Sequence, residues 1–398
     1  MSKLEELIEQ YCPDGVEYMK LGEVCKALPK GTLTTKELVE PNGHNYPVIN
    51  SGRELYGYYT HFNNEGDAFT VAARGEYAGF ITYFSGKFWA GGLCYPYRSY
   101  SPNISTKFIF YYLKTRQEYI RNTLVAEGSI PALNKGTLDL FEIPVPPLPV
   151  QEEIVRILDT FAELQAELQA ELQKRKQQYN YYLDNLLNFN DINRGGQAEV
   201  RWMKMNEVFE IRNGYTPSKA KKEFWEGGTI PWFRMEDIRQ NGRILSDSIL
   251  HITPKGVKGK GLFKANSFIL ATTATIGEHA LIIADSLANQ RFTNLSIRKS
   301  LENELSVKYV YYYFFVIDEW CKANTNVSNF ASVDMSKFYN LLIPIPSISE
   351  QQRIVSILDR FDTLTTDLTQ GLPAEIEKRK QQYEYYRDKL LTFKRKGA

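Results

Sequence analysis

The chain is 398 residues long and carries 48 Lys and Arg against 47 Asp and Glu, a net charge of +1. That length exceeds one ordinary core and suits two globular units with additional elements, and the near-zero balance by itself points to no polyanionic partner. Four scattered cysteines (Cys12, Cys25, Cys94 and Cys321) without a CxxC pair exclude a zinc ribbon and a disulfide framework and fit a reducing cytoplasm.

Residues 1–12 predict a short helix with Leu4, Ile8 and Tyr11 on one face, ended by the turn residues Pro13, Asp14 and Gly15. This stretch has no apolar signal core, and no run approaches the ~18 apolar residues of a membrane span, so a soluble cytoplasmic protein without membrane contact is expected. A mixed region follows to residue 142, with strands expected at 68–73 and 79–84 and a helix at 107–123. IPVPPLP at 143–149 is read as a stiff extended lead-in. From Gln151, an apolar stripe through Ile154, Leu158, Phe161, Leu164, Leu168 and Leu172 predicts a helix spanning roughly 50–55 Å. AELQ occurs three times in tandem within it, over 162–173. A linker is expected at 188–196, and a second mixed region at 197–342.

The last stretch repeats the middle one. Residues 343–391 match 143–187, pairing Ile154 with Ile354 and Asp159 with Asp359, then Tyr179 with Tyr383 after four inserted residues. The second copy is predicted to break near Gly371-Leu372-Pro373, with Pro373 in the first turn of the later helix. The mixed regions echo each other more faintly, as in VEYMKLGEV at 16–24 and VRWMKMNEV at 200–208, or KFIFYYL at 107–113 and KYVYYYF at 308–314. One fold is used twice, with divergent domains between near-identical helices.

Charge separates the two domains. Residues 200–299 hold sixteen Lys and Arg against nine Asp and Glu, whereas residues 1–142 hold fourteen against sixteen. A basic second region is what phosphate contact requires; the first must rely on local clustering or on partner subunits. Motifs for chemistry are missing: there is no GxxxxGK[ST] loop, no HExxH, no His/Cys metal spacing and no Asn-Pro-Pro-aromatic motif. His44, His61, His251 and His279 are isolated and read as surface or structural residues. No catalytic residue and no metal site are expected.

At its repeated blocks the chain resembles the specificity subunit of type I restriction–modification enzymes. The matching residues are IPVPPLPVQEEIVRILD and IPIPSISEQQRIVSILDRFDTL, the KRKQQY–YY–LL blocks after each, and the opening MSKLEELIEQYCPDGVEYMKLGEV. NGYTPS at 213–218, Ile230-Pro231-Trp232, Glu236-Asp237-Ile238, Ile276-Gly277 and Asn289-Gln290-Arg291-Phe292 also match. The resemblance implies an α+β fold: two similar mixed α/β target-recognition domains separated by long helices that form an antiparallel coiled coil, with pseudo-twofold symmetry. The domains are then 1–142 (first recognition domain, with the short N-terminal helix), 143–196 (first helical spacer and linker), 197–342 (second recognition domain) and 343–398 (second helical spacer). It implies a sequence reader of double-stranded DNA that binds a bipartite target. The chain would dock two methyltransferase subunits and, for cleavage, restriction/translocase subunits. No cofactor is expected in this chain; S-adenosylmethionine, ATP and magnesium belong to the partners. The first domain has no clear counterpart to Asn289-Gln290-Arg291-Phe292.

Residue chemistry selects the contact candidates, since Arg and Lys read guanine or hold phosphate and Asn and Gln pair with adenine. In the first domain these are Lys30, Lys36, Asn50, Arg53, Arg74 and Tyr77. In the second they are Lys219, Lys221, Lys222, Arg234, Arg239, Arg243, Gln290 and Arg291. Tyr179 and Tyr383, which end the KRKQQY segments, and Tyr181, Tyr182, Tyr385 and Tyr386, repeated identically beside them, are assigned to partner docking. The AELQ copy number is expected either to tune the spacer between half-sites or merely to supply a helix with a leucine seam. Two other readings stay open: a coiled-coil protein-binding adaptor without DNA readout, and an enzyme whose active site has no recognisable motif.

Overall fold

Six helices of nine residues or more stand out among the described residues, and all but the first take part in the repeat. They are α1 (Lys3–Tyr11), α2 (Thr106–Thr115), α3 (Leu148–Leu187), α4 (Val307–Ala323), α5 (Ile348–Thr366) and α6 (Leu372–Leu390). The structure is a computed structural model that describes residues 3–189, 200–326, 331–367 and 370–397. Of the expected linker only Asn188 and Phe189 fall inside it, and the expected domain start at 197 lies outside the described residues. The chain divides into two compact units: Met1–Ala170 with Glu375–Ala398, and Glu171–Ala374. The division falls inside the AELQ run of α3.

In the first unit, β1 (Cys25–Ala27), β4 (Ala68–Ala72), β5 (Ile81–Phe84) and β7 (Cys94–Ser99) form an antiparallel sheet in the order β1-β7-β4-β5. A smaller sheet holds β2 (Tyr46–Ile49) between antiparallel β3 (Gly57–Tyr59) and parallel β6 (Trp89–Ala90). Every residue of β4 is buried because both faces are covered. Phe69 and Val71 pack with Phe108, Ile109 and Leu113 of α2 and with Ile154 and Leu158 of α3, while Ala68 joins Ile49, Phe88 and Ala90. Ile154 and Leu158 are fully buried, each contributing about 1.5–3 kcal/mol of transfer free energy.

The far end of the chain closes this unit. Leu391 belongs to its core, the Val16 amide donates to Lys394 O at 2.8 Å, and the Lys396 amide donates back to Val16 O at 2.9 Å. Phe161 of α3 meets Tyr383 and Tyr386 of α6 with ring centroids 6.3 and 5.7 Å apart.

The second unit repeats the plan. The strands β8 (Phe209–Asn213), β9 (Ile230–Phe233), β10 (Ile244–Leu245), β11 (His251–Ile252), β12 (Ser267–Ala271), β13 (His279–Ile282), β14 (Leu287–Ala288) and β15 (Phe292–Ile297) make two sheets. Their orders are β8-β15-β12-β13-β10 and β11-β9-β14, with β9 and β14 parallel. On β12, Phe268 and Leu270 face the helical cluster, and Ile269 and Ala271 face the smaller sheet. Phe361 of α5 meets Tyr179 and Tyr182 of α3 at 6.5 and 5.0 Å, the same contact as in the first unit with the copies exchanged. Each unit therefore pairs the first part of one long repeat with the second part of the other, and the paired helices run antiparallel.

Buried polar residues fix each domain to its helix. Gln151 Oε1 accepts the Ser105 amide at 2.9 Å and its Nε2 donates to Pro146 O at 2.6 Å; Gln351 does the same for Ser306 (2.8 Å) and Pro346 (2.8 Å). Asp159 accepts from Lys107 and Tyr111, and Asp359 from Lys308 and Tyr312, all at 2.5–3.0 Å. Both glutamines are fully buried, so losing either side chain strands backbone groups away from water.

Several expected boundaries shift. The long helix starts at Leu148, because Pro149 in the first turn needs no amide donor, so the extended lead-in ends with the strand Glu142–Val145. The helix expected over 107–123 is interrupted only at Arg116: α2 ends at Thr115, a further α-helical turn spans Gln117–Tyr119, and a π-helical turn follows over Ile120–Leu124. Tyr11 is 44% exposed rather than on the buried face of α1, where Leu4 is 5% exposed. The break in the second repeat stands where expected, between α5 and α6. A Cβ at Gly371 would lie 2.5 Å from Thr363 O, so only glycine fits that approach.

Candidate nucleic-acid interface

At the carboxyl ends of parallel β9 and β14, three loops of the second unit converge. The first follows β8, where a Cβ at Gly214 would lie 2.2 Å from Asn289 O, so glycine is required for the loops to touch. The second opens at Arg234, whose amide is capped by buried Asp237 at 2.6 Å. The third is the turn Asn289–Phe292, closed by Asn289 Oδ1 accepting the Arg291 amide at 2.9 Å. Thr216 donates to Gln290 Oε1 at 2.5 Å, which leaves the Gln290 amide nitrogen as the donor. Thr216, Lys219, Arg234, Gln290 and Arg291 line one pocket of about 250 Å³. The Arg234 Nε is buried without a hydrogen-bond partner among the described residues and lies 3.9 Å from a carboxylate oxygen of Glu236, which also lines the pocket.

The first unit builds the same edge from different side chains. Asn50 stands at the end of β2 as Arg234 stands at the end of β9, and Gly91-Gly92-Leu93-Cys94 follows β6 as Asn289-Gln290-Arg291-Phe292 follows β14. Asn50 Oδ1 accepts the Leu93 amide at 2.9 Å, and a Cβ at Gly91 would lie 2.5 Å from that oxygen. Lys30 Nζ donates to Gly92 O at 3.0 Å and lies over the Tyr95 ring. The edge continues through matching backbone bonds. The Ala73 amide donates to Leu93 O at 2.8 Å as the Thr272 amide donates to Arg291 O at 3.0 Å, and Arg74 bridges Ala132 as Thr273 bridges Ser332.

Of the contact candidates, the structure gathers Lys219, Arg234, Gln290 and Arg291 at one site, and Lys30, Asn50 and Arg74 along the matching edge. Lys36 lies in the exposed turn Thr35–Glu37, Arg53 is exposed three residues after Asn50, and Tyr77 is half-buried. Lys221 covers the Phe224 ring, Lys222 pairs with Glu226 at 3.5 Å, and Arg239 is exposed on the helix Met235–Asn241.

Arg243 is placed elsewhere. Its Nη1 donates to His279 O at 3.1 Å and to buried Asp318 at 3.2 Å, so its charge is engaged inside the unit. His279, fully buried, is pushed below the ordinary imidazole range by burial and accompanies this pair. In the first unit, Lys114 does the same work, donating to Ile81 O at 2.8 Å and to Gln117 at 2.9 Å. Burial, with Arg53 and Arg387 nearby, lowers the Lys114 ammonium to about 8.

The docking tyrosines divide. Tyr179 is 9% exposed and Tyr383 half-buried, and both rings pack on Phe361 or Phe161, as do those of Tyr182 and Tyr386. Tyr181 and Tyr385, 64% and 62% exposed, stand at equivalent places on the outside. Leu93, Thr216 and Asn289 belong to the edge but were not candidates. Leu93 has no polar signature, whereas the other two lie in NGYTPS and Asn289-Gln290-Arg291-Phe292, two of the elements that carry the resemblance, and act through loop contacts. Among the described residues there is no cluster of His, Cys, Asp and Glu able to hold a metal ion, and no helix long and apolar enough to cross a membrane.

Comparison with known proteins agrees with the duplication. The type I restriction modification DNA specificity domain matches twice, over residues 13–175 and 197–378. The chain is 35% identical over 421 aligned residues to the type I restriction enzyme EcoR124I/EcoR124II specificity subunit of Escherichia coli, covering 99% of this chain and 97% of that one. It is 54% identical over 204 residues to the EcoprrI specificity subunit of Escherichia coli, a match spanning 50% of this chain and 51% of the relative. In fold it is similar to the S subunit of a type I restriction–modification system from M. genitalium, with a TM-score of 0.55 at 18% identity over 94% of this chain and 95% of the other. Twice-matched along its length and aligned nearly end to end with one such subunit, the chain belongs to the family of type I restriction–modification specificity subunits.

Proposed function

We propose that each unit reads one half of a split target in double-stranded DNA, through the loops that end β2 and β6 in the first unit and β9 and β14 in the second. The observation that carries this is the edge itself: the same backbone constellation occurs twice, and the side chains it presents differ at nearly every position. A shared scaffold with divergent tips is what two readers of different sequences require. Arg234, Gln290 and Arg291, with the donors and acceptors that pair with base edges, are the base readers of the second unit. Lys219, Lys221, Lys222, Arg239, Lys36, Arg53 and Arg74 hold phosphate, and Lys30, Asn50 and Tyr77 belong to the first unit's reading edge.

The chain supplies recognition and its partners supply chemistry. Two methyltransferase subunits dock against the helical repeats, where Tyr181 and Tyr385 offer equivalent exposed rings, and restriction/translocase subunits join for cleavage. S-adenosylmethionine, ATP and magnesium act in those partners. The AELQ run sets the half-site spacing: deleting one unit shortens a continuous α3 by ~6 Å and turns the helix beyond the deletion by about 40°.

Selection from a random duplex pool by the chain with its methyltransferase subunits tests the reading. A bipartite motif with a fixed gap is expected, and deleting residues 170–173 is expected to shorten the gap without altering either half. Recovery of no motif would leave a protein-binding adaptor as the better account.

A further inference from the structure

The edge of the first unit is apolar where its counterpart is charged. Leu93, 41% exposed, occupies the turn position that Arg291 holds in the second unit. Ile130, at the tip of the hairpin between Val125–Ala126 and Ala132–Leu133, is 65% exposed on the same edge. Cations frame this strip. Lys30 is bonded to Gly92 O beside Leu93, and Arg74 follows Ala73, whose amide binds Leu93 O. Aliphatic side chains set among cations are complementary to a polyanion that displays an apolar group. On the base edges of a duplex, that group is the C5 methyl of thymine.

Asn50 completes the match. Its Oδ1 is occupied by the Leu93 amide, which leaves Nδ2 as the donor of a side chain bonded to the leucine backbone. A donor beside an aliphatic group mirrors thymine, where the O4 acceptor lies beside the methyl. Gly91 and Gly92 place no side chain between this pair and a base, and at Gly91 none fits.

We infer that Leu93 is a specificity-determining residue that selects thymine by covering its C5 methyl group, with Asn50 donating to O4. The inference rests on the DNA-reading function proposed above. It makes the two units read by different physics, apolar contact in the first and charged hydrogen bonding in the second.

The test uses the chain with its methyltransferase subunits and the duplex motif they select. Replacing the half-site thymine by deoxyuridine removes only the methyl group and is expected to weaken binding about fourfold, the worth of one buried methyl. Leu93→Ser is expected to bind the two duplexes equally, while Leu140→Ser, at an exposed leucine in the turn before the strand Glu142–Val145, keeps the fourfold difference. If Leu93→Ser retains both the selected motif and the deoxyuridine penalty, the inference is overturned while DNA reading stands. If the unsubstituted complex selects no motif at all, DNA reading itself fails and the inference falls with it.

Discussion

The two units share their anchors and differ at their tips. Gln151 and Gln351, Asp159 and Asp359, and Phe161 and Phe361 make the same contacts to the same kinds of partner. At the edge, Gly91-Gly92-Leu93 corresponds to Asn289-Gln290-Arg291, and Asn50 corresponds to Arg234. Sequence has been held constant where domain meets helix and released where domain meets solvent. A fold divided in this way can change what it recognises without disturbing how it is assembled.

That contrast can be broken at the tips or at the anchors. The largest effect is expected at the charged edge. Arg291→Ala or Arg234→Ala should cost about 1–3 kcal/mol, or roughly 5- to 150-fold, at one base position of the second half-site, with the first half-site unchanged in a duplex selection. Loss spread evenly over all sequences would instead mark a phosphate contact. Next come the anchors. Gln151→Ala and Gln351→Ala each strand a buried amide and carbonyls, and each should destabilise its unit by about 3 kcal/mol in denaturant unfolding. Unequal losses would show that the duplication is less faithful in energy than in geometry.

A smaller difference separates the units at low pH. Arg156, then Lys3, hold the Glu153 carboxyl at about 2, below its ordinary 4.5, whereas the equivalent position in the second unit is Arg353. A carboxylate depressed in the folded state stabilises fully above about 4.5, and that contribution is lost as pH falls toward 2. Glu153→Gln should therefore lower thermal stability at neutral pH, and its gap from the unsubstituted chain should close on acidification. A gap that stays constant with pH would assign the effect to packing.

Much of the architecture was legible because it is written twice. Periodicity placed α3, and Gly371 with Pro373 marked the break between α5 and α6. The candidate site was half legible. Arg234, Gln290 and Arg291 have the side chains that base reading needs and Lys219 a charge suited to phosphate, and the structure brings the four together. Arg243 has the same chemistry but meets buried Asp318, and that meeting depends on a loop-to-helix contact spanning 75 residues. Leu93 shows the opposite failure. Nothing in its own chemistry marks it, and its place appears only when the strand ends of the two units are aligned. The pairing of Tyr179 and Tyr182 with Phe361 was hidden likewise, since identical repeats reveal a shared role without saying which face is inward.

The closure of the first unit by Leu391 and by the strand-like bonds from Lys394 and Lys396 to Val16 bears on the order of synthesis. Residues 171–374 leave the ribosome as one uninterrupted stretch that contains everything the second unit needs. The first unit, though its domain is translated earlier, waits for residues 375–397 before its helical pairing can form. Its contacts span more than 370 positions, as between Tyr18 and Phe393, and closing so long a loop is slow. The half made first is the half finished last, so a ribosome that stalls late should release a complete second unit beside an open first one.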